Sequence, residues 1–519
     1  MNSYRIGIDV GGTNTDAVIL DNQFNVISEA KLPTTTDVSS GIYQALHKVI
    51  DSSDVEPDQI DYAMLGTTHC TNAIVERKGL NSIAIIRLGA PATLATKPLV
   101  GAPDDLRKEL GKYVFMVEGG HEFDGREISP LDEEELYRIA RSIEGKVDSV
   151  AITSVFSPVS NDHEERAANI VKKILGDDVP ISLSSEIGST GLLERENATI
   201  LNASVVQVAR KTVNGFIKAL KEKDVHANVF FGQNDGTLMS ADYALKYPIL
   251  TVACGPTNSL RGASYLTGKS DAIVVDVGGT TTDVGVLVGS FPRESTLAVD
   301  IGGARTNFRM PDLVSLGLGG GTIIRVDGQG NYTIGPDSVG HEITQKALVF
   351  GGDTLTATDV VVALNKADIG DPSLLSHLDQ TLLEAIYTDM MYKVEVAIDR
   401  MKTSADDVPV ILVGGGSILV SHTLEGASEV IQTNNHEVAN AIGSAIAQVS
   451  GQIEQIYKLD ELGREETIRL AEQTAVEEAV KAGADRNTCQ IVDIEDIPLA
   501  YLPGDATRIR VKAAGNLQL

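Results

Sequence analysis

Apolar positions along this chain fall in two alternating rhythms. Compact runs at Tyr4 to Ile8, Ala17 to Leu20, Tyr62 to Leu65, Ser82 to Arg87, Val150 to Val155 and Asn228 to Phe231 read as buried strands. Between them, apolar residues return every third or fourth position over Ser39 to Ser52, Asp132 to Ile143, His163 to Leu175 and Thr199 to Lys221, the spacing of amphipathic helices. Strand and helix in alternation predict an α/β protein. From Ala90 to Ser129 the pattern lapses into Gly, Pro and charge, which predicts a surface insertion at about 90–129. Later come strands at Ala272 to Val275, Val284 to Val288 and Val410 to Val413, and helices at Pro372 to Thr403 and Leu462 to Ala482. In the tail, Pro498, Pro503 and Gly504 mark turns between short strands.

One segment occurs twice, about half a chain apart. Asp9-Val-Gly-Gly-Thr-Asn-Thr-Asp16 and Asp276-Val-Gly-Gly-Thr-Thr-Thr-Asp283 differ only at Asn14 and Thr281. Each copy lies between two apolar runs, so each is expected to be a β-hairpin with glycines at its tip. A dinucleotide fingerprint would open a helix after its glycines, and here β-branched residues follow instead. The reading is therefore a duplication: an N-terminal lobe over 1–205, a second lobe over 206–455 and a C-terminal helix and short-strand appendage over 456–519.

The repeated residues suit a polyphosphate. Such a ligand needs backbone N–H groups that approach closely, hydroxyls, and carboxylates to hold the cation that neutralises it. Gly11, Gly12, Gly278 and Gly279 allow the approach; Thr13, Asn14, Thr15, Thr280 and Thr281 complete the shell. Asp9 and Asp276 are the candidate Mg²⁺ ligands, and Asp16 and Asp283 candidate groups for orienting a nucleophile or a second metal contact. A single loop of this kind is ordinary turn chemistry, but turns have no need to repeat Asp, Gly, Gly, Thr and Asp in register. Gly414, Gly415 and Gly416, after the Val410 strand, could admit the flat adenosine; Ser315 to Thr322 could close over phosphates or simply pass between packed strands.

Composition narrows the partners. A net charge of −29 repels nucleic acid and acidic lipid surfaces. No apolar run approaches the length of a membrane helix, and the chain enters a strand at its first residues, leaving no room for a leader. Cys70, Cys254 and Cys489 are too scattered for a disulfide framework or zinc site, and the reducing cytoplasm is the expected compartment. The histidines, including His69, His163 and His341, show no metal-ligand spacing.

With Gly66-Thr-Thr-His-Cys-Thr-Asn-Ala-Ile-Val-Glu-Arg-Lys-Gly79 between them, the paired loops resemble the hydantoinase/oxoprolinase family, A-type subunit, of the actin/sugar-kinase/heat-shock-chaperone superfamily. Ser182 to Ile187, Glu194-Arg195, Gln233 to Gly236, Cys254-Gly-Pro256 and Arg261-Gly-Ala263 fall in the same order. The resemblance implies two actin-like (ribonuclease H-like) lobes with ATP and Mg²⁺ in the cleft between them. It also implies phosphorylation of the carbonyl of a cyclic amide or imide, such as a hydantoin or 5-oxoproline, for ring opening, or in related members carboxylation of a ketone. It places Thr67, Thr68 and Asn72 on the substrate side, with Glu76 and Arg77 supporting that loop, and implies a B-type partner subunit; self-association is left open. Thr257-Asn258-Ser259 and Val314 depart from the family pattern, which commonly has Ala-Gly-Gly and a histidine there. The same clamp would also serve an ATP-driven reactivase of a partner enzyme or a small-molecule kinase.

Overall fold

The computed structural model describes residues 3–34, 38–188, 190–295, 299–307, 310–420, 423–499 and 505–518. Its centre is two hairpins, β1 (Tyr4–Val10) with β2 (Asn14–Leu20), and β3 (Ala272–Val277) with β4 (Thr282–Val288). Each begins a sheet of the same topology. In the first, Val26–Pro33, β2, β1, Ile60–Thr67 and Asn228–Gly232 lie side by side; in the second, Phe291–Pro292, β4, β3, Val408–Val413 and Ala427–Ile431 do so. The first three strands of each set are antiparallel and the last two join in parallel. The duplication read from two loops thus extends to the five-stranded order that carries them, and the fold is the α/β, two-lobed, actin-like one expected.

The sheets do not divide where the sequence boundaries at 205/206 and 455/456 were drawn. Asn228–Gly232 and Leu238–Ser240 return to the first sheet, and so do Val449–Lys458, Ala506–Gly515 and Gln490–Pro498. The segment 456–519 is therefore a continuation of the first sheet. Ile509, Val511 and Ala513 alternate onto a buried face, covered by Ala471, Ala475 and Ala479 of helix Arg464–Lys481. Of the turn residues expected in the tail, Pro498 ends a strand, and Pro503 and Gly504 lie outside the described residues. Lys512 joins the lobes from this edge, its Nζ lying 2.8 Å from Asp235 and 2.9 Å from Glu294, which Arg510 also holds.

The expected insertion is only partly irregular. It contains helix Asp104–Leu110 and strand Tyr113–Glu118, which pairs in parallel with Ile83–Ala90 in a separate four-stranded sheet with Ser149–Ser154 and Ile181–Leu183. The flanking glycines, prolines and charges hide this short apolar run in any longer window. The stretch Thr199 to Lys221 is two helices, Leu192–Ser204 and Val206–Glu222, broken at Val205. Pro372 begins a short 3₁₀ turn, and the long helix is Gln380–Met401, capped by the Asp379 carboxylate.

Two helices run between the lobes, α1 (Cys254–Thr267) and α2 (Ala439–Ile446). They cross at backbone distance. A Cβ on Gly262 would strike the Ala439 carbonyl, and one on Gly443 the Asn258 carbonyl. Gly7 of β1 is similarly blocked by the Ala441 carbonyl, so α2 is pressed onto α1 and the first sheet together. Rigid backbone cannot yield as a side-chain tip can. Gly262→Ala and Gly443→Ala should each lower unfolding free energy by at least about 1–3 kcal/mol. Gly328→Ala, where nothing lies within 4 Å of the added carbon, should be near neutral in the same denaturant titration.

Candidate functional site: an acidic cleft between paired hairpins

The two hairpins meet tip to tip. Gly11 N–H donates to the Asn14 carbonyl (2.9 Å) and Gly278 N–H to that of Thr281 (2.8 Å), so both loops close with one turn geometry. The hydroxyls of Thr13 and Thr280 stand 3.3 Å apart, and a Cβ on Gly279 would come within 2.7 Å of Thr13. The other glycine-rich segments brace the second hairpin. Gly320 and Gly321 N–H donate to the carbonyls of Gly278 (3.0 Å) and Gly279 (2.7 Å), and Gly416 N–H to that of Val277 (2.7 Å). Gly414 has a left-handed backbone, φ 86°, and any side chain there would collide with the Asp276 carboxylate.

Behind the tips lie four carboxylates, Asp9 and Asp16 buried and Asp276 and Asp283 partly exposed. Register sets Asp9 opposite Asp16 and Asp276 opposite Asp283. The crossing helices supply their partners. Asn258 of α1 donates from Nδ2 to Asp9 Oδ1 (3.0 Å), and Asn440 of α2 donates to both Asp9 Oδ2 (3.1 Å) and Asp16 Oδ2 (2.9 Å). Ser259, next along α1, bonds Asp276, and Ser315 bonds Asp283. Lys31 reaches across from the neighbouring strand, its Nζ 3.0 Å from Asp16 Oδ1. Burial pushes the Asp9 and Asp283 carboxyls up to about 6 and raises those of Asp16 and Asp276 as well, against the opposing pull of these donors.

A cavity of about 580 Å³ opens between the loops. Of the residues singled out from sequence, Asp9, Asp16, Asp276, Asp283, Gly11, Gly12, Thr13, Asn14, Gly278, Gly279, Thr280, Thr281 and Gly414 to Gly416 line it, as does Thr68. Thr15 does not: it is buried with its hydroxyl 3.3 Å from that of Thr34. Thr67 is also buried, exchanging hydrogen bonds with the Cys254 thiol (3.2 Å each), and Asn72 lies beyond the lining, 3.4 Å from the Thr68 hydroxyl. Arg77 turns away to Asp105 (3.0 Å) and the Gly302 carbonyl (2.6 Å), and exposed Glu76 pairs with Lys78. His69 is mostly buried, which lowers its pKa to about 4 and keeps it neutral.

Sequence reading missed Lys31, Asn258, Ser259, Glu437 and Asn440. Asn258 and Ser259 are departures from the family pattern, and in the fold Asn258 donates to Asp9 while Ser259 lies beside Asp276 and counters the effect of burial on it. Lys31 was findable by register, sitting opposite Asp16 once β2 pairs with its neighbour. Asn440 carries no local signal. Ile343, Phe350, Ile369 and Ile418 add apolar surface to the cavity lining, which also includes His341.

The fold also brings together histidines that lacked a spacing pattern. His121, Glu127 and His163 converge in the four-stranded unit, the one such trio among the described residues. Gly120 N–H donates to His163 Nδ1 (2.9 Å), which leaves the ring proton on Nε2, facing Glu127 at 3.1 Å. A ligating histidine usually donates from its second nitrogen, so this pair is better described as a hydrogen bond than as a ligand set. No helix among the described residues is long and apolar enough to cross a membrane.

Two lobes of one topology, each presenting an Asp-x-Gly-Gly-Thr hairpin to a shared cleft, define a protein of the actin and sugar-kinase class. Within that class the chain belongs to the hydantoinase/oxoprolinase family: residues 5–175 match its N-terminal region and residues 195–442 its hydantoinase/oxoprolinase domain. It is 27% identical over 429 residues to the caprolactamase subunit alpha of Pseudomonas jessenii, covering 76% of this chain and 60% of that one. It is 28% identical over 397 residues to the acetophenone carboxylase gamma subunit of Aromatoleum aromaticum, covering 69% and 53%. The chain thus spans a little over half the length of these relatives. The crystal structure of the ATP-dependent caprolactamase from Pseudomonas jessenii superposes with a TM-score of 0.78 at 21% identity, covering 99% of this chain and 88% of that one, a match of fold.

A carboxyl whose folded pKa is raised favours the folded state below its ordinary value, and that advantage is lost as pH rises through about 6 for Asp283. Asp283→Asn, which keeps the shape without the charge, should therefore be more stabilising, relative to wild type, at about pH 7.5 than at about pH 5, by on the order of 1–1.5 kcal/mol. Urea unfolding of both proteins at the two pH values measures this difference.

Proposed function

We propose that this chain is the ATP-dependent, carbonyl-activating component of an amidohydrolase of the hydantoinase/oxoprolinase type, with a cyclic amide or imide as substrate. The observation that carries the reading is the pair of hairpins facing one cleft with four carboxylates behind them. The fit to magnesium nucleotide is chemical as well as geometric. A Cβ at Gly12 meets nothing within 4 Å, so the tip of the first loop is open to an approaching phosphate oxygen. Carboxylates whose charge is penalised by burial gain most from a divalent cation. The apolar surface of Ile343, Phe350, Ile369 and Ile418 suits a base ring, and the volume is that of a small-molecule site.

In this reading Asp9 and Asp276 would hold Mg²⁺, which would neutralise charge on the phosphates. The hairpin N–H groups and Thr13 and Thr280 orient the terminal phosphoryl group. The substrate carbonyl oxygen takes that group, forming an O–P bond as the bond to ADP breaks, with the leaving oxygen remaining on ADP. An unactivated lactam is a poor electrophile; once phosphorylated, its oxygen can depart with the phosphate after water adds to the carbon. Thr68, at the cleft edge, is the candidate substrate contact, with Thr67 and Asn72 shaping the turn that presents it. Asp16 and Asp283 orient the attacking group. Closure of the lobes would keep water from the transferring phosphoryl.

The name of the relative from Aromatoleum supports a second use of the same activation, carboxylation of a ketone. A separate subunit completing the reaction fits relatives named as alpha and gamma subunits.

With magnesium, ATP should raise the melting temperature of the purified chain, and Asp9→Ala or Asp276→Ala should abolish that rise. Phosphate release from ATP should then be stimulated by a lactam, hydantoin or 5-oxoproline when a B-type partner is supplied. Stimulation by a ketone plus bicarbonate instead would favour the carboxylase, a stable phosphorylated product seen by phosphorus NMR a kinase, and stimulation by a partner enzyme alone a reactivase.

A further inference from the structure

We infer that Lys31 is the residue that binds nucleotide phosphate in this cleft and that in doing so it releases Asp16, an inference that rests on the ATP-binding reading above. Lys31 is the sole Lys or Arg among the described residues lining the cavity, where Asp9, Asp16, Asp276, Asp283 and Glu437 supply carboxylates. A triphosphate entering among those charges finds neutral donors on the loops and this single ammonium group.

The position of the side chain suits a moving contact. Lys31 lies on strand Val26–Pro33 directly opposite Asp16; its Nζ forms an ion pair with Asp16 Oδ1 (3.0 Å) and donates to the Glu437 carbonyl (2.9 Å). An ammonium group has three donors, so those not given to Glu437 are open to another acceptor. The side chain is 28% exposed, against 4% for that of Asp16, and opens both to the cleft and to the adjoining hollow lined by Lys48 and His436. From the opposite lobe Gly415 leaves it room: a Cβ there would stand 3.3 Å from Lys31 Cε. Any residue larger than glycine at 415 would crowd the Lys31 stem.

The exchange has a chemical consequence at Asp16. Its Oδ2 stays held by Asn440 Nδ2, which is fixed on α2, whereas the partner of Oδ1 is Lys31. When Nζ moves to a phosphate oxygen, Oδ1 loses the cation that faces it. Asp16 then becomes available as an acceptor only when nucleotide is present. At the second hairpin the residue directly opposite Asp283 on the neighbouring strand is Ser315 in place of a lysine.

The test is calorimetric binding of ATP, ADP and adenosine, each with magnesium, to wild type, Lys31→Gln, Lys31→Met and Lys31→Arg. Loss of the charge should weaken ATP and ADP by about 10-fold or more while adenosine changes by less than about 2-fold, and arginine should recover most of the loss. Equal weakening of adenosine and ATP would mean that Lys31 only maintains the cleft, and unchanged ATP affinity in Lys31→Gln would remove it from phosphate binding; either overturns the inference. Wild type that binds none of the three would sink the ATP reading itself, a separate failure. Unliganded melting curves for all variants establish that each is folded, and a variant that is not is replaced by the other neutral one.

Discussion

Four carboxylates of like charge, gathered in one cleft, are the constraint around which this molecule is built. Left to themselves they would repel each other and resist dehydration. The fold answers with neutral donors held in fixed positions: Asn258 and Ser259 on one helix, Asn440 on the other. Those donors are placed by the crossing of α1 and α2, and the crossing depends on Gly262 and Gly443. A change of one methyl group in the helix contact therefore reaches the aspartates through a rigid lever, without any substitution in the cleft.

Duplication supplied two equivalent hairpins, but their surroundings have diverged. Asp16 has a lysine and an asparagine; Asp283 has a serine hydroxyl. The first loop is tied to the chain beyond its own sheet by Thr34, whose hydroxyl bonds the Gly11 carbonyl at 2.8 Å, while the second is buttressed by Gly320, Gly321 and Gly416. Equal loops with unequal supports can take different parts of one ligand, one gripping while the other adjusts. The many glycines of the second lobe are thus explained by close backbone contact.

What the sequence disclosed was whatever is encoded locally. Asp9 to Asp16 and Asp276 to Asp283 carry strand, turn and chemistry within eight consecutive residues, so both their conformation and their place at the cleft could be read in advance. Asn440 could not, because its meaning comes from a helix packing against residues more than four hundred positions earlier. Thr15 and Thr67 were misjudged for a related reason: alternation along a strand sends every second hydroxyl away from the cleft, and the loop pattern alone does not say which. Strand Tyr113–Glu118 was lost to its surroundings, and the tail was detached from the sheet it completes because partners hundreds of residues away leave no periodic trace.

That completion fixes an order of events during synthesis. The second sheet draws its strands from one continuous stretch, Ala272 to Ile431, and can assemble as soon as that stretch has left the ribosome. The first sheet unites β1 and β2, which precede that stretch, with Val449–Lys458 and Ala506–Gly515, which follow it. Its nucleus of early strands must wait, with one edge unpaired, through the making of the second sheet. The burden on cellular chaperones should therefore fall on the sheet that is begun before the other and completed after it.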